Sequence, residues 1–132
     1  MKKLHGIISP LDKEHGQKVK EIWQRLDEKC GYTEIASTIT PHFSWAVADS
    51  FDWQALEGVL ERVAEEIPPF TLRSNGIGFF SWFRPVIYIP LVRTEFLSEA
   101  HKQIWARVAK LATNISPYYA PESWLPHNQP SL

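Results

Sequence analysis

Apolar residues along this chain switch between two spacings, and each switch marks an element. Residues 4–9 are mostly apolar and predict a short first strand that Pro10 closes. Asp12 then has the chemistry of a helix N-cap. Val19, Ile22, Trp23, Leu26 and Cys30 follow at intervals of three and four, which predicts a helix to about residue 30, with Gly31 as its stop. Residues 35–48 read as extended. Strict alternation there puts Phe43, Trp45 and Val47 on one face and His42, Ser44 and Ala46 on the other. Asp52 predicts a second cap, with Trp53, Leu56, Leu60, Val63 and Ile67 forming a helical stripe that Pro68-Pro69 ends. Two extended stretches, 70–82 and 86–92, come next, with Asn75-Gly76 or Arg84-Pro85 to turn the chain. Pro90 predicts an edge or a bulge in the second of them. Thr94 predicts a third cap, followed by a stripe of Leu97, Ala100, Ile104, Val108 and Leu111. The tail, residues 116–132, has no helical period, and Trp124–His127 reads as a last strand.

The expected order is β-α-β-α-β-β-α-β, which implies an α+β or α/β fold with sheet covered by helices. No linker interrupts it, so residues 1–132 are expected to form one domain. Composition narrows the function classes more than the fold. Lys plus Arg number 14 and Asp plus Glu 15, giving a formal charge of −1. No strong basic field is available to gather nucleic acid, so an RNA partner has to be met at a local site. No apolar run is long enough for a membrane span, and the start lacks a secretory signal's apolar core, so a cytoplasmic protein with no membrane partner is expected. The single cysteine, Cys30, excludes an intramolecular disulfide and a Cys-rich zinc site, and on its helix stripe it reads as a buried filler.

The candidate chemistry lies in the five histidines. His5, His15 and His101 have neighbours that suggest exposed or incidental positions. His42 and His127 have a shared context: each follows a proline, each falls at or near a strand, and each has a hydrogen-bonding side chain two residues on, Ser44 and Gln129. They are 85 residues apart, the kind of offset that two similar half-domains would produce. No His-Glu-x-x-His pattern, nucleophile elbow or Walker loop is present, so neither metal, serine-hydrolase nor ATP chemistry is suggested.

The segment Thr40-Pro41-His42-Phe43-Ser44-Trp45 resembles the first of the two His-x-Thr/Ser motifs of the 2H phosphoesterase superfamily, in its 2′-5′ RNA ligase-like branch. That branch includes RNA 2′,3′-cyclic phosphodiesterases. Residues 70–92 resemble the family's hairpin between the motifs, and Ser123-Trp124-Leu125-Pro126-His127 resembles the lead-in to the second. Gln129 stands where the second motif carries Thr or Ser, and five residues follow His127 where the family continues with a further helix and strands. The resemblance implies a bilobal fold of antiparallel or mixed sheets flanked by helices, with the second lobe lacking its usual C-terminal end. It also implies an enzyme that hydrolyses 2′,3′-cyclic phosphate, or 2′-5′ linkages, of RNA ends or nucleotides. Neither metal nor ATP nor any other cofactor would be needed.

By that resemblance His42 and His127 are the catalytic pair, with His42 as acid and His127 as base. Histidine suits both roles because its unperturbed pKa lies near neutrality. Ser44 would donate to a phosphate oxygen, and Gln129 can donate through its amide. Phe80 is the aromatic candidate for lining a nucleobase pocket; Trp82, Tyr118 and Tyr119 read as core, as do Trp23, Trp53 and Trp105 on their helices. Arg73 and Arg84 are candidates for meeting a phosphate. Two other outcomes fit the same residues: a weakened relative that only binds a nucleotide or phosphate, and a non-enzymatic fragment. An unpaired sheet edge would offer a second copy of the chain a surface on which to dimerise.

Overall fold

The computed structural model describes residues 3–31, 40–81 and 86–129. Three helices form where their caps predict. Helix α1 spans Lys13–Cys30, with the Asp12 side chain accepting from the His15 amide and Gly31 turning left-handed at φ 66° to stop it. Helix α2, Trp53–Glu66, is capped by Asp52 through the Ala55 amide. Helix α3, Glu95–Val108, is capped by Thr94 through the Leu97 amide. Each such cap satisfies an otherwise orphaned N–H and contributes about 1 kcal/mol.

The strands are β1 (His5–Pro10), β2 (His42–Phe51), β3 (Gly78–Phe80), β4 (Val86–Pro90), β5 (Ala112–Ile115) and β6 (His127–Asn128). They build two antiparallel three-stranded sheets, ordered β1-β2-β5 and β3-β4-β6. The class is therefore α+β. Strand β5 was not expected; it leaves α3 through a 3-10 turn at Ala109–Leu111 and pairs with the far end of β2. The extended stretch expected over 35–48 starts at His42 among the described residues, and residues 35–39 lie outside them.

Strand β2 is not evenly alternating. Ser44 pairs with Ile8 and Ala46 with Ile7, so Trp45 is an extra residue, a β-bulge. Upstream of it His42 and Ser44 share one face. Downstream the phase is shifted: Ala46 and Ala48 are fully buried with Phe43 and Trp45, and Val47 is half-buried. This corrects the expected placement of Ala46 and Val47 and preserves that of His42 and Ser44. The buried face packs Ile7, Phe43, Trp45, Phe51, Leu56, Leu97, Ile104 and Trp124 into one core between the first sheet and helices α2 and α3.

Three side chains expected in the core lie outside it. Trp53 is exposed, packed edge-on to His5 and Phe51 at the start of α2. Tyr118 is exposed. Cys30 is exposed at the end of α1, about two turns beyond Trp23, the last buried residue of the helix. The converse holds for His101, which was expected at the surface and is completely buried. Trp82 and Arg84 lie outside the described residues, as does the Arg84-Pro85 turn. Asn75-Gly76 makes no hairpin: Ser74 bridges Leu91 and Gly78 pairs with Tyr88, so this segment runs alongside β4. Between those two pairs one strand spends an extra residue, and Pro90 sits there. The Leu91 amide donates to Pro126 on the β6 side, so the Pro90 nitrogen faces the irregular side, where no donor is needed.

Candidate functional site

The two Pro-His dipeptides enter the fold in the same way. His42 opens β2 and pairs with Pro10, the last residue of β1; His127 opens β6 and pairs with Pro90, the last residue of β4. The amide of Leu11 donates to the Pro41 carbonyl at 3.0 Å, and the amide of Leu91 donates to the Pro126 carbonyl at 2.9 Å. Each proline-terminated strand is followed at once by a capped helix, α1 or α3. A strand, a helix and a later returning Pro-His strand thus occur in each sheet, although β5 of the first sheet intervenes between α3 and β6.

The imidazoles are also held alike. His42 Nδ1 lies 2.7 Å from the Thr40 carbonyl oxygen, and His127 Nδ1 lies 2.6 Å from the Leu125 carbonyl oxygen. A carbonyl only accepts, so Nδ1 carries a proton in both rings and Nε2 is left as the nitrogen that can exchange one. His42 is buried at the start of β2 and His127 is half-buried.

Their surroundings differ. His127 stands edge-on to Phe80 and Tyr88, with ring centroids 5.4 and 5.2 Å away. Phe80 and Tyr88 stack on each other at 4.3 Å. Tyr88 reaches this position across Gly78, where a Cβ would lie 2.5 Å from its Cζ. Phe80 is thereby brought to His127, and Tyr88, which sequence reasoning missed, completes the aromatic wall. Gly78 directly opposite Tyr88 in the β3–β4 pair is the signal that could have found it. Gln129 does not stand apart as an open donor, since its Oε1 position lies 2.8 Å from His127 Nε2. With Nδ1 already donating, that contact requires a doubly protonated ring or an amide turned to present its NH₂.

Ser44 shares the His42 face, partly exposed, with its carbonyl taken by the Trp124 indole N–H at 2.9 Å. Asn128 ties the two histidine strands together. Its Nδ2 donates to the His42 carbonyl at 2.8 Å and its Oδ1 accepts from the Trp23 indole at 3.2 Å. Asn128 thus links β6, which carries His127, to the start of β2, which carries His42 and Ser44, while Phe80 and Gln129 lie against His127. Arg73 is exposed on the segment beside β4.

Behind β2 lies a second polar group. His101 Nε2–H donates to the Trp45 carbonyl at 3.0 Å, and its ring stacks on Trp124 at 3.8 Å and 4°. Its Nδ1 is buried and makes no hydrogen bond of good geometry, although the Tyr119 backbone lies close enough to favour its protonation slightly. Burial pushes the His101 pKa down to about 4, and the Arg93 charge adds to this. That guanidinium lies over the Trp124 ring and donates to the Trp124 and Pro121 carbonyls.

A cavity of about 1130 Å³ is lined mainly by apolar side chains such as Ile7, Val19, Phe43, Trp45 and Leu60. Neither His42 nor His127 lines it, and Asn128 does. Its titratable lining groups are already paired on α1: Asp12 with His15, which holds the Asp12 carboxyl below its ordinary range, and Lys18 with Glu14. Among the described residues no three His, Cys, Asp or Glu side chains converge as metal ligands, and no helix is long and apolar enough to cross a membrane. No protein-family model matches the chain, and no curated protein matches it.

Proposed function

We propose that the chain is a metal- and ATP-independent phosphodiesterase of the 2H phosphoesterase type, acting on the 2′,3′-cyclic phosphate, or 2′-5′ linkages, of RNA ends or nucleotides. One observation carries the reading: two Pro-His dipeptides sit opposite two strand-ending prolines. Each histidine gives its Nδ1 proton to the carbonyl two residues before it, at 2.7 and 2.6 Å. Two imidazoles with Nδ1 held by a backbone carbonyl and Nε2 left for proton exchange suit a two-histidine acid–base mechanism. The recurrence of strand, helix and Pro-His strand in both sheets supports the bilobal architecture of that superfamily.

In the reaction, His127 begins neutral and His42 protonated. Nε2 of His127 takes a proton from the attacking water as its oxygen bonds to phosphorus. The P–O bond to one ribose oxygen breaks, and Nε2 of His42 delivers its proton to that oxygen. The products are a ribose hydroxyl and a phosphate monoester on its neighbour. The histidines end with exchanged protonation and re-equilibrate through solvent. The Ser44 hydroxyl donates to a non-bridging phosphate oxygen, where charge builds as the transition state forms. Phe80 and Tyr88 offer an apolar wall to the nucleoside. Gln129 turns from His127 Nε2 when water or phosphate arrives.

The test is the pH–rate profile with EDTA present. A bell-shaped dependence of kcat/KM on a 2′,3′-cyclic nucleotide supports the reading, and absence of turnover contradicts it. The contact of Gln129 with His127 Nε2 favours one second reading, a relative that binds a nucleotide monophosphate without turning it over. Calorimetric binding of such a nucleotide with no hydrolysis would select it.

A further inference from the structure

An accounting of the β2 backbone leads to residues that the catalytic reading does not use. β1 covers one edge of β2. On the other edge β5 pairs only from Ala48 onward, with the Ser116 amide extending the ladder to the Val47 carbonyl at 2.7 Å. Upstream, among the described residues, the carbonyls of Trp45, Ser44 and His42 have no strand to receive them. Unpaired, each would carry the desolvation penalty of a buried carbonyl with no donor. Each instead meets one side-chain donor: His101 Nε2 at 3.0 Å, Trp124 Nε1 at 2.9 Å and Asn128 Nδ2 at 2.8 Å. These donors come from α3, from the loop before β6 and from β6 itself. All three are essentially fully buried, and two are stacked face to face.

We infer that Asn128, Trp124 and His101 are positioning residues that act on the site through the β2 backbone, fixing where His42 and Ser44 present their side chains. The inference rests on the proposed two-histidine reading for its catalytic consequence and on the hydrogen-bond pattern for its structural one. None of the three is placed to touch substrate. Asn128 sets the peptide next to the His42 Nδ1–Thr40 bond, so losing its donation releases the ring orientation that defines Nε2 as the exchanging nitrogen. Trp124 does the same for Ser44. Trp23 is the control, because its buried indole donates to Asn128 Oδ1 rather than to a β2 carbonyl.

The experiment compares Asn128→Asp, Trp124→Phe and Trp23→Phe in the full chain. Asn128→Asp keeps the acceptor for Trp23 and loses the donor to His42. Two readouts are taken: the His42 tautomer by ¹⁵N NMR of the imidazole, and kcat and KM on a 2′,3′-cyclic nucleotide. In the parent His42 is an Nδ1–H tautomer. In Asn128→Asp the Nε2–H form appears; in both Asn128→Asp and Trp124→Phe kcat falls by at least about tenfold, and KM stays within about threefold. Trp23→Phe leaves both readouts near the parent. The inference is overturned if Trp23→Phe and Trp124→Phe change the readouts equally, or if neither Asn128→Asp nor Trp124→Phe changes them. Should Asn128→Asp not fold, the two Trp→Phe variants decide. A parent without turnover sinks the proposed function alone, and the tautomer comparison still decides the clamp.

Discussion

Below neutral pH, His101 should set the acid side of the folding stability. Its ring stacks on Trp124, which in turn stacks on Trp45, and burial lowers its pKa from 6.5 to about 4. The folded value is below the unfolded one. Above pH 6.5 the group is neutral in both states and contributes no pH dependence. Below 6.5 the unfolded chain takes up a proton that the folded chain refuses. Stability then falls by about 1.4 kcal/mol per pH unit until the folded pKa is reached, a loss of about 3 kcal/mol in total. For a domain of this size that is a large part of the usual 5–15 kcal/mol. The assay is urea unfolding of the parent and of His101→Gln at pH 7.5, 6.5, 5.5 and 4.5. Carboxylates titrate in both proteins, so the difference between them isolates His101. The parent's advantage over the variant should shrink steadily as pH falls below 6.5. A difference that stays constant from pH 7.5 to 4.5, or a His101 imidazole that titrates near 6.5 in the folded state, would refute the reasoning.

Two further predictions address the aromatic wall and the phosphate clamp. Gly78→Ala places a Cβ 2.5 Å from the Tyr88 ring, so Tyr88 is displaced from Phe80 and His127; urea unfolding should register a loss of about 1–3 kcal/mol. Ser44→Ala removes the hydroxyl on the His42 face while the carbonyl bond from Trp124 remains; steady-state assays should show kcat lowered by about a hundredfold with little change in KM.

The helices were legible because their signals are local. Asp12, Asp52 and Thr94 cap helices at the predicted positions, and the apolar stripes follow. Strand β5 was not, because Ala112–Ile115 has no alternation and continues from the α3 stripe without a break. The bulge at Trp45 has no sequence mark either. It matters because it turns Ala46 and Ala48 inward, letting α3 and its histidine pack against β2. The burial of His101 was readable in principle: it stands four residues after Leu97 and three before Ile104, on the same stripe. Its polarity hid what its spacing disclosed. For Trp53 and Cys30 the error ran the other way, since helix ends can carry the stripe beyond the core that the middle turns cover.

At the site, His42 with Ser44 followed from strand alternation, and His127 from its repeat of the Pro-His context. The contact between Gln129 and His127, and the roles of Asn128 and Trp124, depend on contacts between residues far apart in the chain. No spacing rule reports those.

The most direct test of the two-histidine account is hydrolysis of a 2′,3′-cyclic nucleotide by the purified chain in EDTA, beside His42→Ala and His127→Ala. The account predicts a phosphate monoester from the parent and none above background from either variant, with all three proteins folded. No product from the parent at high enzyme concentration, or product undiminished by either substitution, would contradict it.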